Sequence, residues 1–149
     1  MRWSATLRWA RSAWAGGIVS VHAFQLALFD DRAQREVWSS ANDLISSSYA
    51  PMGKVTVVEN GFRLSGRWGW SSGSGHCDWV FLGAIVPGDG YRTFLLPASD
   101  YRIEDTWQAM GLQGTGSNDV VVEDVFVPEY RTHSQMDGFR LDNPGNRVN

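Results

Sequence analysis

Two stretches of this sequence decide its fold, and the first is Gly66-Arg67-Trp68-Gly69-Trp70-Ser71-Ser72-Gly73. The second begins about forty residues later and is Met110-Gly111-Leu112-Gln113-Gly114-Thr115-Gly116-Ser117-Asn118-Asp119. Side chains alternate between the two faces of a strand, so we expect Trp68 and Trp70 to share one face. A flat aromatic surface of this kind suits a planar ligand.

The polar end of the first stretch could contribute to the same site. Ser71 and Ser72 offer hydroxyl and main-chain N–H groups at the end of the predicted strand. Gly73 would let a ligand or another backbone approach closely. Taken alone, the pattern is more typical of an aromatic strand that ends in a glycine and serine turn.

The composition is that of an ordinary globular domain. The 149 residues include 43% apolar and 19% charged residues, which is enough for one domain with a real core. A net charge of −3 and the lack of a Lys/Arg cluster argue against a nucleic-acid partner. Cys77 is the only cysteine, which excludes an internal disulfide and a multi-cysteine zinc site and favours a cytoplasmic location.

Neither a membrane span nor a metal site is expected. The apolar stretch from Ala13 to Phe29 is interrupted by polar residues and is too short to cross a bilayer, so it is predicted to be a helix of the fold. His76 and Asp78 could share one strand face, but two ligands without a partner cluster do not predict a metal site.

Hydrophobic periodicity predicts helices first and strands afterwards. Apolar residues recur at helical spacing from residue 3 to about residue 20, and Asp30–Trp38 has the acidic start of a short helix. Asn60-Gly61 and the run from Pro87 to Gly90 predict hairpins, and after Pro128 the chain is expected to be irregular. The predicted strands are 44–48, 54–58, 62–71, 78–86, 91–96, 101–107 and 119–127.

At their spacing, the two stretches resemble the middle β-domain of the acyl-CoA dehydrogenase fold, in the form found in reduced-flavin-dependent aromatic monooxygenases. The resemblance implies an α+β fold, mainly β, with two packed antiparallel sheets. It implies that residues 1–40 end an N-terminal helical domain, 41–130 form the flavin-binding middle β-domain, and 131–149 link to a missing C-terminal helical bundle. Because family members are much longer, the chain is expected to be a fragment.

The resemblance also assigns residues to the cofactor. Ser72 matches the Ser or Thr of the family near flavin N5, Trp70 the aromatic residue before it, and Ser71 the position between them. The cofactor implied is reduced FMN or FAD, with O₂ as co-substrate. With this resemblance, a cofactor site becomes the better interpretation of the first stretch.

Other positions match the substrate side of the family site. His22 matches a histidine that contacts the phenol hydroxyl, and a histidine, with a reference pKa near 6.5, can accept or share that proton. Trp14 matches an aromatic wall, and Ser48, or else Ser47, matches a serine that contacts substrate. The resemblance thus implies that His22 and Ser48 are catalytic; without it, His22 is more typical of a structural histidine.

The function implied is that of the oxygenase component of a two-component monooxygenase, which hydroxylates a phenolic substrate through a flavin C4a-hydroperoxide. Its implied partners are a separate NAD(P)H flavin reductase and, in a tetramer, further copies of the full-length chain. An acyl-CoA dehydrogenase is the alternative enzyme, although Ser48-Tyr49-Ala50-Pro51-Met52-Gly53 resembles the monooxygenase form. A non-catalytic β-domain that binds a partner is the alternative outside enzymes.

Overall fold

The computed structural model describes residues 22, 24–40, 42–140 and 143–146. The helix predicted near residues 3–20, with Trp14, lies outside them. The predicted α+β, mainly β class is confirmed, and no helix of the described part is long and apolar enough to cross a membrane. The elements are α1 (Asp31–Val37), β1 (Ile45–Val58), β2 (Gly61–Ser71), β3 (Trp79–Val86), β4 (Gly90–Pro97), β5 (Arg102–Glu104), β6 (Asn118–Pro128), β7 (Thr132–Ser134) and α2 (Gln135–Arg140).

Strand β1 joins two layers of strands. The strand order is β5-β6-β2-β1-β3-β4-β7, and the register along β1 shifts between Ser48 and Gly53. The part before the shift pairs with β3, and the part after it pairs mainly with β2. The segments predicted as strands 44–48 and 54–58 are therefore one bent strand. The β1–β3 pair is parallel, which corrects the prediction of purely antiparallel sheets, because the bend lets β1 leave one layer and continue in the other.

The main core lies between the two layers, and Trp68 is at its centre. Trp68 is fully buried, and its Nε1 donates a hydrogen bond of 2.8 Å to the carbonyl oxygen of Gly83 on β3. A Cβ at Gly53 would lie 2.7 Å from Cζ2 of the indole, and one at Gly66 would lie 2.8 Å from its Cη2. Two glycines on neighbouring strands thus make room for the largest side chain of the core.

A second core covers the other face of the β3–β4 layer. Helix α1 begins where the sequence predicts, because the Asp30 side chain accepts a hydrogen bond of 2.8 Å from the N–H of Arg32. Its apolar face and the turn before it pack on the sheet, which places the N-terminal segment directly against the strands. The buried residues of this cluster are Leu26, Phe29, Ala33, Val37, Ile45, Trp79, Phe81 and Leu95.

Both predicted hairpins are present, and the first differs in detail. Asn60 has a φ of 61°, whereas Gly61 already belongs to β2 and pairs with Val58. The two-residue turn typical of Asn-Gly needs positive φ at both residues, and only Asn60 has it. Gly61 is required for another reason, since a Cβ there would lie 2.4 Å from the carbonyl oxygen of Val127.

The chain after Pro128 is more regular than predicted. Strand β7 pairs antiparallel with β4, so residues 132–134 belong to the sheet and not to a linker. The strand escapes detection by hydropathy because its buried side chains are polar. Arg92 Nη1, for example, donates a hydrogen bond of 2.8 Å to Thr132 Oγ1.

A carboxylate on α1 holds the helix to the end of the β-domain. The hydroxyl of Tyr130 donates to Glu36 Oε1 at 2.7 Å, and Arg131 Nε donates to Oε2 at 2.6 Å. Burial raises the pKa of Glu36, but the hydrogen bonds from Arg131 and Tyr130 outweigh burial and hold the pKa below its usual 4.5. The ionised carboxylate is therefore the form that the fold stabilises.

We expect Gly53→Ala to lower the free energy of unfolding by about 1–3 kcal/mol, because the new methyl group must displace Trp68 or Ala84. Gly75→Ala is the matched control, since a Cβ at Gly75 meets nothing within 4 Å. Urea unfolding of both variants measures the difference. Equal stabilities would contradict the tight packing around the indole.

Because the pKa of Glu36 is lowered in the fold, its contribution to stability is present above about pH 4.5 and is lost as the pH falls through the folded-state pKa. We therefore expect the stability advantage of the wild type over Glu36→Gln to shrink between about pH 5 and about pH 3. Unfolding free energies measured across that range test this. An advantage that does not change with pH would show that the charge of Glu36 contributes nothing.

Candidate functional site

An open cleft of about 440 Å³ lies where β1 and β2 change register. Its volume falls within the usual range of small-molecule sites, about 300–1,000 Å³. Five of the residues predicted for the site line this cleft, although they come from three separate parts of the sequence. The lining residues are His22, Ser47, Ser48, Tyr49, Ala50, Gly69, Trp70 and Ser72.

Trp70 is placed at the cleft by an irregularity of its strand. The register between β2 and β6 shifts between Trp68 and Ser71, and Trp70 has a φ of 63°. Trp70 is consequently 80% exposed while Trp68 is fully buried, so the prediction that they share a face is wrong. A bulky residue with positive φ costs about 1–3 kcal/mol, and such strain is typical of functional sites.

The serines of β1 lie next to this irregular part of β2. Ser48 Oγ donates a hydrogen bond of 2.7 Å to the carbonyl oxygen of Gly69, immediately before Trp70. This bond uses the only proton of the Ser48 hydroxyl and leaves its lone pairs to accept a hydrogen bond from a ligand. Burial raises the pKa of the neighbouring Tyr49, and a hydrogen bond with Ser47 opposes the rise, so the phenol of Tyr49 stays neutral at pH 7.

His22 forms one side of the cleft. It is 7% exposed, and its ring stacks on Phe81 with ring centroids 5.7 Å apart. Phe81 belongs to the core beneath the helical segment, so the stacking fixes the histidine on a rigid support. The ring is thus held between the core and a cleft lined by hydroxyl groups.

The glycine-rich second stretch lies against the end of the first. Ser72 Oγ is 2.9 Å from Ser117 Oγ, and the N–H of Gly73 donates 2.8 Å to the carbonyl oxygen of Thr115. Ser71 differs from Ser72, because its side chain is fully buried and does not line the cleft. A contact between Ser71 and a cofactor would have to use its main chain, and that role stays a prediction.

The lining fits a planar ring system with polar edges, as the resemblance to flavin-dependent enzymes implies. Trp70 offers an exposed aromatic plane, and the cleft adds hydroxyl groups and one imidazole that can donate or accept hydrogen bonds. Among the described residues no lysine or arginine lines this cleft, so it suits the uncharged rings better than the flavin phosphate. The residues at the cleft that sequence reasoning missed are Tyr49, Ala50 and Gly69; the first two follow Ser48 directly in the stretch that resembles the monooxygenase form.

Comparison with known proteins identifies relatives of this chain. No protein-family model matches it. The flavin-dependent monooxygenase oxygenase subunit HsaA of Rhodococcus jostii is 49% identical over 139 residues, which cover 90% of this chain and 36% of the relative. The FADH₂-dependent resorcinol hydroxylase oxygenase component of a Rhizobium species is 41% identical over 144 residues, 93% of this chain and 35% of the relative. The chain is a homologue of flavin-dependent monooxygenase oxygenase components.

The structural comparison agrees with the sequence relationship. The crystal structure of 3-HSA hydroxylase from Rhodococcus sp. RHA1 superposes with a TM-score of 0.84 at 46% identity. The match covers 93% of this chain and 37% of the crystal structure's chain. This chain therefore spans about a third of the length of its relatives.

We expect Trp70→Gly to leave the free energy of unfolding unchanged or to raise it by up to about 1 kcal/mol, because glycine relieves the positive φ and an exposed indole contributes little packing. Trp68→Phe should instead cost about 1–3 kcal/mol, since it removes both packing and the bond to Gly83. Urea denaturation of the two variants measures both effects. A loss of similar size in Trp70→Gly would contradict the strained conformation.

Proposed function

We propose that this chain supplies the flavin- and substrate-binding part of the oxygenase component of a two-component monooxygenase that hydroxylates a phenolic ring. The observation that carries the proposal is the single cleft that gathers His22, Ser47, Ser48, Trp70 and Ser72. The resemblance of the sequence to the family assigns these residues to cofactor and substrate. The names of the relatives, which include a resorcinol hydroxylase, support the same chemistry.

The domain division forms part of the proposal. Residues 1–40 would end an N-terminal helical domain, and residues 41–130 would form the middle β-domain that binds flavin. We extend that β-domain through residue 134, because β7 pairs with β4. The remaining residues would lead toward a C-terminal helical domain, as in a protein of the relatives' length.

The cofactor proposed is reduced FMN or FAD, which supplies the chemistry of O₂ activation when bound. Trp70 would support one face of its ring system, with the strained strand holding the indole out of the core. Ser72 would direct its hydroxyl to the ring from the edge of the cleft. Contact between the ring system and the Trp70 indole would also keep water away from the reacting atoms.

On the substrate side, Ser48 and His22 would act on the phenol oxygen. Since the proton of Ser48 is bonded to the carbonyl of Gly69, Ser48 would accept a hydrogen bond from the phenol hydroxyl. Because the phenol hydroxyl has only one proton, this bond to Ser48 would break as the ring becomes activated and His22 accepts or shares that proton. Ser47 would line the substrate pocket beside them, and Trp14 would form its aromatic wall.

The proposal extends to partners. Relatives named as oxygenase components or subunits support a second component, for which we propose a separate NAD(P)H flavin reductase. We further propose that the full-length protein is a tetramer in the cytoplasm, in keeping with the family resemblance and with a sequence that contains one cysteine.

The alternative enzyme, an acyl-CoA dehydrogenase, is less well supported. Identities of 41% and 49% to monooxygenase components favour the oxygenase branch. Three serine hydroxyl groups and an imidazole around the cleft also suit a polar aromatic substrate better than an acyl chain. A non-catalytic β-domain would bind no flavin, so flavin absorbance in the purified protein separates it from both enzymes.

A chimera tests the proposal in a protein of full length. In the HsaA subunit of Rhodococcus jostii, the segment that aligns with this chain is replaced by this chain's residues. We expect His22→Ala and His22→Asn to leave flavin binding intact and to slow hydroxylation by about 10²- to 10⁴-fold, because a positioned acid/base group is lost. Reduced flavin should then be oxidised without hydroxylated product, and hydrogen peroxide should be released.

His76→Ala is the matched control, because His76 is an exposed histidine that does not line the cleft. Hydroxylated product and peroxide are measured per reduced flavin consumed in each variant. If flavin oxidation stays fully coupled to hydroxylation in both His22 variants, His22 has only a structural role. A chimera that binds no flavin would contradict the proposed function itself.

A further inference from the structure

A chain of three hydroxyl groups runs from the cleft through a buried serine to a half-buried threonine. Ser72 Oγ, at the cleft, is 2.9 Å from Ser117 Oγ, and Ser117 Oγ is 2.8 Å from Thr115 Oγ1. Ser117 is 5% exposed, whereas Ser72 lines the cleft. The middle hydroxyl is therefore almost hidden from water and has a serine on one side and a threonine on the other.

The segment that carries Ser117 and Thr115 is fixed by main-chain hydrogen bonds. Asn118 Oδ1 accepts hydrogen bonds of 3.1 Å from the N–H groups of Thr106 and Trp107. The N–H of Gly73 donates to the carbonyl oxygen of Thr115, directly beside Ser72. The loop is joined to the end of β2 by the Gly73–Thr115 bond and by the pairing of Ser71 with Asn118, so the hydroxyl chain forms between fixed backbones.

The row of three hydroxyl groups limits the directions in which the Ser72 proton can point. A serine hydroxyl rotates freely and carries one proton, so without a second partner its direction at an open cleft is undefined. When Ser117 donates to Ser72, the Ser72 proton points to the cleft; when Ser72 donates to Ser117, Thr115 accepts the proton of Ser117. The first arrangement leaves the Ser72 proton for a ligand and the second leaves the Ser72 lone pairs, and in both the buried hydroxyl of Ser117 is satisfied.

We propose that Ser117, supported by Thr115, is a positioning residue that orients the Ser72 hydroxyl toward the ligand in the cleft. This inference rests on the proposed function, since the ligand is taken to be a flavin. A group held in its bound orientation loses less entropy on binding, so the hydroxyl chain contributes to flavin affinity without touching the flavin.

The test measures dissociation constants of reduced FMN and reduced FAD for the chimera without oxygen, by quenching of the protein's tryptophan fluorescence. Ser117→Ala should weaken binding by about 2- to 12-fold, the value of one hydrogen bond. Ser117→Thr keeps the hydroxyl and should stay within about twofold of the wild type. Ser74→Ala is the matched control, because Ser74 is buried nearby and its hydroxyl has no hydrogen-bond partner among the described residues.

A double-mutant cycle separates positioning from a general effect on folding. If Ser117 acts through Ser72, Ser117→Ala should have no further effect on affinity in the Ser72→Ala background. An equal loss in both backgrounds, or no loss in either, would overturn the inference. If Ser117→Ala does not fold, Ser117→Thr and Ser117→Val repeat the comparison with equal volumes.

The failure of this inference can be told apart from failure of the proposed function. A parent chimera that binds neither reduced FMN nor reduced FAD contradicts the proposed function, and the inference then fails as well. A parent chimera that binds flavin, with Ser117 variants that all match it, contradicts the inference alone.

Discussion

The burial of Trp68 between two layers of strands is the constraint on which the rest of this structure depends. Its indole is fully buried, bonds to Gly83 on the opposite layer and requires glycine at positions 53 and 66. Strand β1 passes beside this ring and changes register at the same level, from pairing with β3 to pairing with β2. One large side chain therefore determines where the two layers meet and where the shared strand bends.

The cleft follows from that bend and from the irregularity opposite it on β2. If β2 continued regularly after Trp68, Trp70 would enter the same core as Trp68. The register shift and positive φ instead turn Trp70 outward, and the bond from Ser48 to Gly69 ties the bent β1 to this point. Backbone strain at Trp70 is thus the physical origin of an exposed aromatic plane beside three serines. The same strand that fills the core also supplies the surface for a planar ligand.

Features determined by local chemistry were predictable from the sequence. The Asp30 cap, the hairpin near Asn60 and most strand positions follow from capping, turn and alternation rules. The outward turn of Trp70 could not be predicted, because simple alternation places it beside Trp68 and only the pairing with β6 changes this. Likewise, β7 lacks an apolar pattern. The site residues were located by resemblance to a family, while the hydroxyl of Ser117 behind Ser72 became visible only in three dimensions.

We propose that the cleft beside Trp70 holds a flavin ring and a phenol. A crystal structure of the flavin-bound chimera tests it most directly, with the distances from the ring system to Trp70 and Ser72 as the measured quantities. We expect van der Waals contact between the isoalloxazine ring and the indole, a hydrogen bond between the ring and Ser72, and His22 facing the space beside the ring. A flavin bound away from this cleft, with Trp70 facing solvent, would contradict it.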